Sequence, residues 1–385
     1  MDFFISEIEI KKIRHLENIN ILLSYNEKKH LIITGINGSG KTSVLDEICN
    51  YFRYQDDIVK NEIKLVISEK NFFRFNNQIG INLLFSNEDD KIELYDQYSK
   101  GNFVIAYFPD KRLFNSEVLG MASSVELNPF YKIDDSKPRE VFIQYLVNQY
   151  IHQLKAESEK DIKKVREIKK WFLHLENILA QLFDDDTIKI SCNLNTYDID
   201  INRKNYEPFT FNTLSLGYSA AFDIIANLIM RMIQKNKLTH DVDGIVLIDE
   251  PEAHLHVALQ KKIMPILVSL FPNIQFIVAT HSPFVISSLE NAVVFDLQNK
   301  LSLTNMTVYS YEGIIEGYFE VDQYSIEVKE KLNRLEALIN KPKPTNNEVR
   351  EMQSLKTYLL SAPDYLSKDL TLKIQDLLLK SRKVL

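Results

Sequence analysis

Eight residues, Gly35-Ile36-Asn37-Gly38-Ser39-Gly40-Lys41-Thr42, follow the pattern G-x-x-x-x-G-K-[ST]. That pattern suits the cradling of a phosphate chain. Glycines let backbone N–H groups turn inward around phosphate oxygens, and the N-terminus of a following helix adds its positive end. Lys41 then reaches the β- and γ-phosphates, and Thr42 offers a hydroxyl to Mg²⁺. Gly35, Asn37, Gly38, Ser39, Gly40, Lys41, Thr42 and Ser43 are the candidate nucleotide contacts. The alternative is a chance glycine-rich turn before a helix. Two later stretches supply what a phosphoryl-transfer site would still need. Gly244-Ile245-Val246-Leu247-Ile248 runs into Asp249 and Glu250. Asp249 suits the hydration shell of Mg²⁺, and Glu250 suits polarising the attacking water. Phe276-Ile277-Val278-Ala279 runs into Thr280-His281-Ser282-Pro283, where a neutral imidazole can hydrogen-bond the γ-phosphate or the water. The catalytic candidates are therefore Glu250, His281 and Lys41, the metal candidates Thr42 and Asp249, and the expected ligands ATP and Mg²⁺.

These side chains need elements to carry them. Leu31-Ile32-Ile33 is a short apolar run of the kind a buried parallel strand shows. Ser43 to Phe52 has helix-spaced apolar residues at Val44, Leu45, Ile48 and Phe52. The acidic pair and the histidine each end a buried strand, at the edge where parallel sheets hold ligands. Leu214-Ser215-Leu216-Gly217 opens an apolar helix from Tyr218 to Met232; a serine there is also an ordinary helix cap. Strands are expected at Phe4–Ile13, Asn18–Leu23, Ile63–Ile67, Ile79–Phe85, Ile92–Tyr98 and Phe103–Phe108, with a hairpin at Ile188–Cys192 and Tyr197–Ile201. Arg14 reads as a solvated turn residue or a nucleotide contact. Leu113–Ile133 reads as loop with short helices and Val141–Phe183 as strongly helical. Lys155–Lys170, dense in both charge signs, is either a solvated helix face or an arm facing a partner or DNA. Helices are expected at Ser325–Ile339, Asn347–Ser361 and Lys368–Lys380. The predicted organisation is an N-terminal lobe at 1–109, a helical insert at 110–187, a C-terminal lobe at 188–310 and a helical tail at 311–385.

Composition narrows the class. The chain has 385 residues, 45% hydrophobic and 26% charged, the balance of a soluble globular protein. A net charge of −7 removes any global basic field that would advertise nucleic-acid binding. Cys49 and Cys192 lie far apart, with no metal-like spacing, as buried or semi-buried thiols of a reducing compartment do. His254 and His256, with no third ligand, make a weak zinc motif. No apolar run has the length of a membrane span and the N-terminus lacks signal-peptide order, so a cytoplasmic location is expected.

Taken in order, Gly35–Thr42, Leu214–Gly217, Val246–Glu250 and Ala279–His281 resemble the Walker A, signature, Walker B and H-switch of ABC-type ATPases, in particular the SMC, RecF and OLD-like branch. Asp249-Glu250-Pro251-Glu252-Ala253-His254-Leu255-His256 resembles the D-E-P-E-x-H-L-H of OLD-like and Septu or retron-associated ATPases of anti-phage defence. The resemblance covers roughly residues 1–300. It implies an α/β fold of ABC ATPase type: a mixed-sheet core, an antiparallel β subdomain, a helical insert and a helical C-terminal tail. It also implies that one chain is half a site. Ser215 and Gly217 would cap the γ-phosphate held by a partner's Lys41 in a head-to-tail homodimer or larger even assembly, and His254 and His256 would be structural or dimer contacts. The output would be control of a separate nuclease or toxin effector; the alternative is a RecF-like ATPase that clamps DNA directly. This chain departs from the family at Leu216 and Tyr218 of the signature. It also has Asp110-Lys111-Arg112 where a Q-loop glutamine is usual.

Overall fold

Three apolar runs, expected as buried strands, lie side by side in one sheet of the computed structural model. The structure describes residues 3–62, 80–86, 91–117, 125, 128, 131–233, 242–303, 306–319, 326–341, 343–360, 372, 374–376 and 379. They divide into two units, Met1–Tyr309 and Ser310–Leu385. The central sheet of the first unit has the order β12-β11-β3-β10-β9-β5. Its strands are β3 (His30–Thr34), β5 (Phe103–Phe108), β9 (Asp243–Asp249), β10 (Ile274–Ala279), β11 (Ala292–Asp296) and β12 (Leu301–Leu303). All neighbours pair in parallel except β11 with β12. Alternate residues of β9 enter different cores. Ile245 and Leu247 join the cluster that holds Val44, Leu45 and Ile48 of helix α1 (Lys41–Glu62). Val246 and Ile248 join the cluster that holds the apolar helix Leu216–Met232. Helices on both faces explain why these strands read as continuous apolar runs rather than alternating ones.

A second, antiparallel sheet has the order β2-β1-β4, with β1 at Ile5–Ile13, β2 at Leu16–Leu22 and β4 at Ile81–Phe85. Arg14, exposed at φ 52°, makes the tight turn between β1 and β2. The two sheets are joined by the buried Gln275, whose side chain accepts from Ile5 N at 2.8 Å and donates to the carbonyls of Ile5 and Lys29 at 2.9 and 2.8 Å. A third sheet, β6 (Lys189–Asn193), β7 (Asp198–Asn202) and β8 (Phe209–Thr210), contains the expected hairpin.

Ile92–Tyr98, expected as a strand, is instead part of helix α2, Lys91–Ser99. The Ile-x-Leu alternation covers only two positions. Leu94, Tyr95 and Tyr98 are buried together, a spacing of three and four that one helix face satisfies. Gly101 at φ 75° then closes the helix, its N–H bonding Tyr98 O at 2.9 Å. The expected strand at Ile63–Ile67 lies outside the described residues. The 141–183 segment forms two helices that pack together, α3 (Phe142–Ser158) and α4 (Ile162–Phe183), with Asp161 capping α4 by accepting from Lys164 N. The charge-dense stretch at their junction carries exposed ion pairs, Lys169 with Glu157 at 3.0 Å and Lys155 with Glu159 at 3.9 Å.

In the second unit, helices Ile326–Ile339 and Asn346–Leu360 pack around Leu335, Leu359 and Ile374, and Arg334 holds Glu351 through two hydrogen bonds at 2.8 and 2.9 Å. Of the third expected helix, 368–380, only residues 372, 374–376 and 379 are described, all helical.

His30 gives a test of the core. Its Nδ1 accepts a hydrogen bond from Phe276 N at 3.1 Å, and burial foremost, with the charge of Lys28, pushes its pKa down to about 4 from 6.5. The unfolded chain binds a proton that the folded His30 refuses. Stability is therefore lost as pH falls through 6.5, and the loss levels off below about 4, at about 3 kcal/mol. His30→Asn keeps an acceptor on the second side-chain atom. Urea unfolding at pH 7 and pH 4.5 should show a smaller acid-side loss in the variant than in the parent.

Candidate functional site

The phosphate-binding pattern spans the link between β3 and α1. Its turns need glycine: Gly35, Gly38 and Gly40 lie at φ 141°, 84° and 99°, where a Cβ is strained. At Gly40 a Cβ would also stand 2.9 Å from Leu16 Cδ1. Lys41 is buried, and its Nζ donates to the loop's own carbonyls, Gly35 O at 2.9 Å and Ile36 O at 3.3 Å. The Ser39 hydroxyl is buried with no partner.

Strand register aligns the three chemical stretches. Ile33 pairs with Ala279, and Ala279 with Asp249, so β3, β9 and β10 end together. Backbone bonds continue the alignment past the strands, Thr280 N to Ile33 O at 3.0 Å and Glu250 N to Ala279 O at 2.8 Å. The Thr42 hydroxyl lies beside the Asp249 carboxyl, whose Oδ1 is buried without a partner. Burial pushes Asp249 up to about 6 against the pull of the Thr42 hydroxyl, and the nearby charges of Glu250, Asp110 and Asp46 act in the same upward direction. A hydroxyl and an orphaned carboxylate oxygen, crowded by negative charge, fit a hard divalent cation.

Glu250 sits at φ 48°. Its Oε2 lies 2.6 Å from His281 Nδ1, though out of hydrogen-bond line. Glu252, which the sequence reading left without a role, is buried beneath them. Its Oε1 accepts from the Thr280 hydroxyl, from His281 N at 3.3 Å and from Ser282 N at 3.1 Å. Burial first, then the charge of Glu250, pushes its carboxyl up to about 7. Arg112 was also missed as a site residue. It is buried and donates to the carbonyls of Asp249 and Glu250, both at 2.8 Å. The sequence signal was its position shortly after β5, where the ABC-type ATPases that the motifs resemble carry a Q-loop glutamine.

The signature residues have other neighbours. Ser215 occupies the N-cap of α5 (Leu216–Met232) without a side-chain cap bond and is exposed, as is Leu216. A Cβ on Gly217 would stand 2.8 Å from His254 O. Gly217 thus abuts the loop that follows the acidic pair, whereas Gly35 and Gly40 abut Ser39, Gln298, Leu16 and His15. His256 caps the short helix Val257–Gln260. No described helix is long and apolar enough to cross a membrane.

Residues 104–287 match the family model described as "AAA domain, putative AbiEii toxin, Type IV TA system". A Septu protein PtuA of Bacillus mycoides is 24% identical over 92% of this chain and 50% of its own length. A second Septu protein PtuA, of Bacillus thuringiensis, is 27% identical over 72% of each chain. The "Retron Vc95 probable ATPase" of Vibrio cholerae is 23% identical over 73% of this chain and 72% of its own. The chain resembles the P-loop ATPases of anti-phage defence systems. Its fold is an α/β one that fits a P-loop ATPase: a mixed sheet with helices on both faces, the 35–42 loop leaving one central strand and the acidic pair its second neighbour. The chain spans about half the length of the Bacillus mycoides relative.

Proposed function

We propose that this chain binds and hydrolyses Mg-ATP and uses the cycle as a switch in an anti-phage defence system. The observation that carries the reading is the shared end of β3, β9 and β10, which gathers Lys41, Thr42, Asp249, Glu250 and His281. Thr42 and Asp249 would hold Mg²⁺, which when bound supplies neutralisation of charge on the phosphate oxygens. Lys41 would exchange two loop carbonyls for the β- and γ-phosphates. Glu250 would take the proton of the attacking water, and His281 would hydrogen-bond the γ-phosphate or that water. The backbone of the 35–40 loop and Ser43 at the start of α1 complete the nucleotide contacts.

The same reading makes ATP a cement between two copies. Ser215 and Gly217 stand at an exposed helix N-terminus whose own serine caps nothing, which suits an anion from a second chain. We further propose that the ATP-bound dimer, or a larger even assembly, holds or releases a separate nuclease or toxin, with the chain as sensor and regulatory subunit in the cytoplasm. The test is the native mass of Glu250→Gln purified from its own host, with and without saturating Mg-ATP. A nucleotide-dependent doubling, or a particle containing a second protein, is the expected result. A monomer under every condition would remove the dimer reading. A dimer that carries nucleic acid would favour the DNA-clamping alternative.

A further inference from the structure

We propose that Arg112 is the positioning residue of the Glu250 turn: its guanidinium, bonded at once to Asp249 O and Glu250 O, holds the left-handed backbone that aims the base. This rests on the reading of Glu250 as the base. Glu250 carries a side chain at φ 48°, a conformation that crowds Cβ against the following carbonyl. Something must hold it there, and the candidates are few. Glu250 N bonds Ala279 O at 2.8 Å, fixing the amide side of the residue. On the carbonyl side, the two oxygens flanking the residue receive one Arg112 nitrogen each, Nη1 to Asp249 O and Nη2 to Glu250 O, both at 2.8 Å. A planar guanidinium fork offers one N–H to each of two carbonyls of one turn in a fixed geometry. Arg112 is 3% exposed and is itself anchored by a third bond to Pro109 O at 2.9 Å. Among the described residues no carboxylate bonds it; its Nη donors go to backbone.

Arg112 also belongs to a strut. Two residues on, Phe114 N donates to Ser219 Oγ at 3.0 Å, in the first turns of the helix that Ser215 opens. Ser116 exchanges bonds with Asn212, at 3.1 and 2.9 Å, just before that helix. Its hydroxyl donates to Glu140 O at 2.7 Å and accepts from Ile143 N at 3.1 Å at the base of α3. Residues 112–116 therefore join the base turn, the signature helix and the helical insert through these hydrogen bonds and through the Phe114 ring, which meets Phe142 and Phe222. In a family where this stretch carries a glutamine, this chain holds the turn by the backbone instead.

The test uses the full chain. Arg112→Met keeps length and apolar stem and loses every donor; Arg112→Lys keeps one charged donor. Turnover, Mg-ATP affinity by a fluorescent analogue, and the unfolding midpoint are measured beside the parent and Glu250→Gln. Arg112→Met should lower kcat by about 10²-fold, as misplacement of a reacting group does, while affinity stays within about threefold and Arg112→Lys recovers part of the rate. A purely structural role would lower affinity and rate together with no recovery by lysine, and would overturn the proposal. So would an Arg112→Met that turns over within about threefold of the parent, or failure of both variants to fold. A parent without turnover would remove the reading of the site itself; an active parent with inactive Glu250→Gln keeps that reading, whatever Arg112→Met does.

Discussion

Glu250→Gln is expected to retain Mg-ATP and lose turnover by about 10²- to 10⁴-fold, the range that removal of a positioned general base produces. The amide keeps the shape of the carboxylate and loses its proton affinity. The change is also gentle on the site. It removes a negative charge beside Asp249 and Glu252, both pushed upward with the Glu250 charge among the causes. Nucleotide binding should therefore hold or tighten, and the unfolding midpoint should not fall. Phosphate release under saturating nucleotide measures the first effect and equilibrium binding the second. A rate within tenfold of the parent would place the base elsewhere, and Glu252, whose Oε2 is buried and unpartnered, would be the next residue to change.

The second large effect belongs to Lys41. Its ammonium now bonds Gly35 O and Ile36 O, so a phosphate has to replace two good partners rather than water. Charge-assisted bonds to a phosphate are worth about 1.5–3 kcal/mol each. Lys41→Ala should therefore weaken Mg-ATP binding by about 10²-fold, with turnover lost at ordinary nucleotide concentrations. The two carbonyls it leaves behind belong to a glycine-rich turn, and water can reach Ile36, which is 58% exposed. The fold should survive, and an unchanged circular dichroism spectrum with lost nucleotide binding is the expected pair of observations. Unaltered affinity would show that the loop does not hold the nucleotide phosphates.

Some of this was open to reading in the chain alone, and the reason is local. A phosphate loop depends on glycines at fixed offsets and a lysine at the start of a helix, so Gly35, Gly38, Gly40 and Lys41 propose it within eight residues. A strand buried on both faces must be apolar throughout, so Ile245–Ile248 and Phe276–Ala279 announced themselves, and with them the acids and the histidine at their ends. The strand expected at Ile92–Tyr98 failed because two alternating residues are too short a sample. Leu94, Tyr95 and Tyr98 fit a helix face once the strand β5 is there to cover it.

The sequence by itself determined which residues are proposed to handle a nucleotide, because the types and spacing follow from the chemistry. Only the tertiary structure decided how they meet. Register brought Ile33, Asp249 and Ala279 to one sheet edge. Gln275 joined two sheets across 270 residues of chain through Ile5. Glu252 became the floor under His281, and Arg112 the hold on Glu250, because each bonds backbone far away in sequence. Backbone groups are the same at every residue, so a bond to one leaves no signature in the letters of its partner.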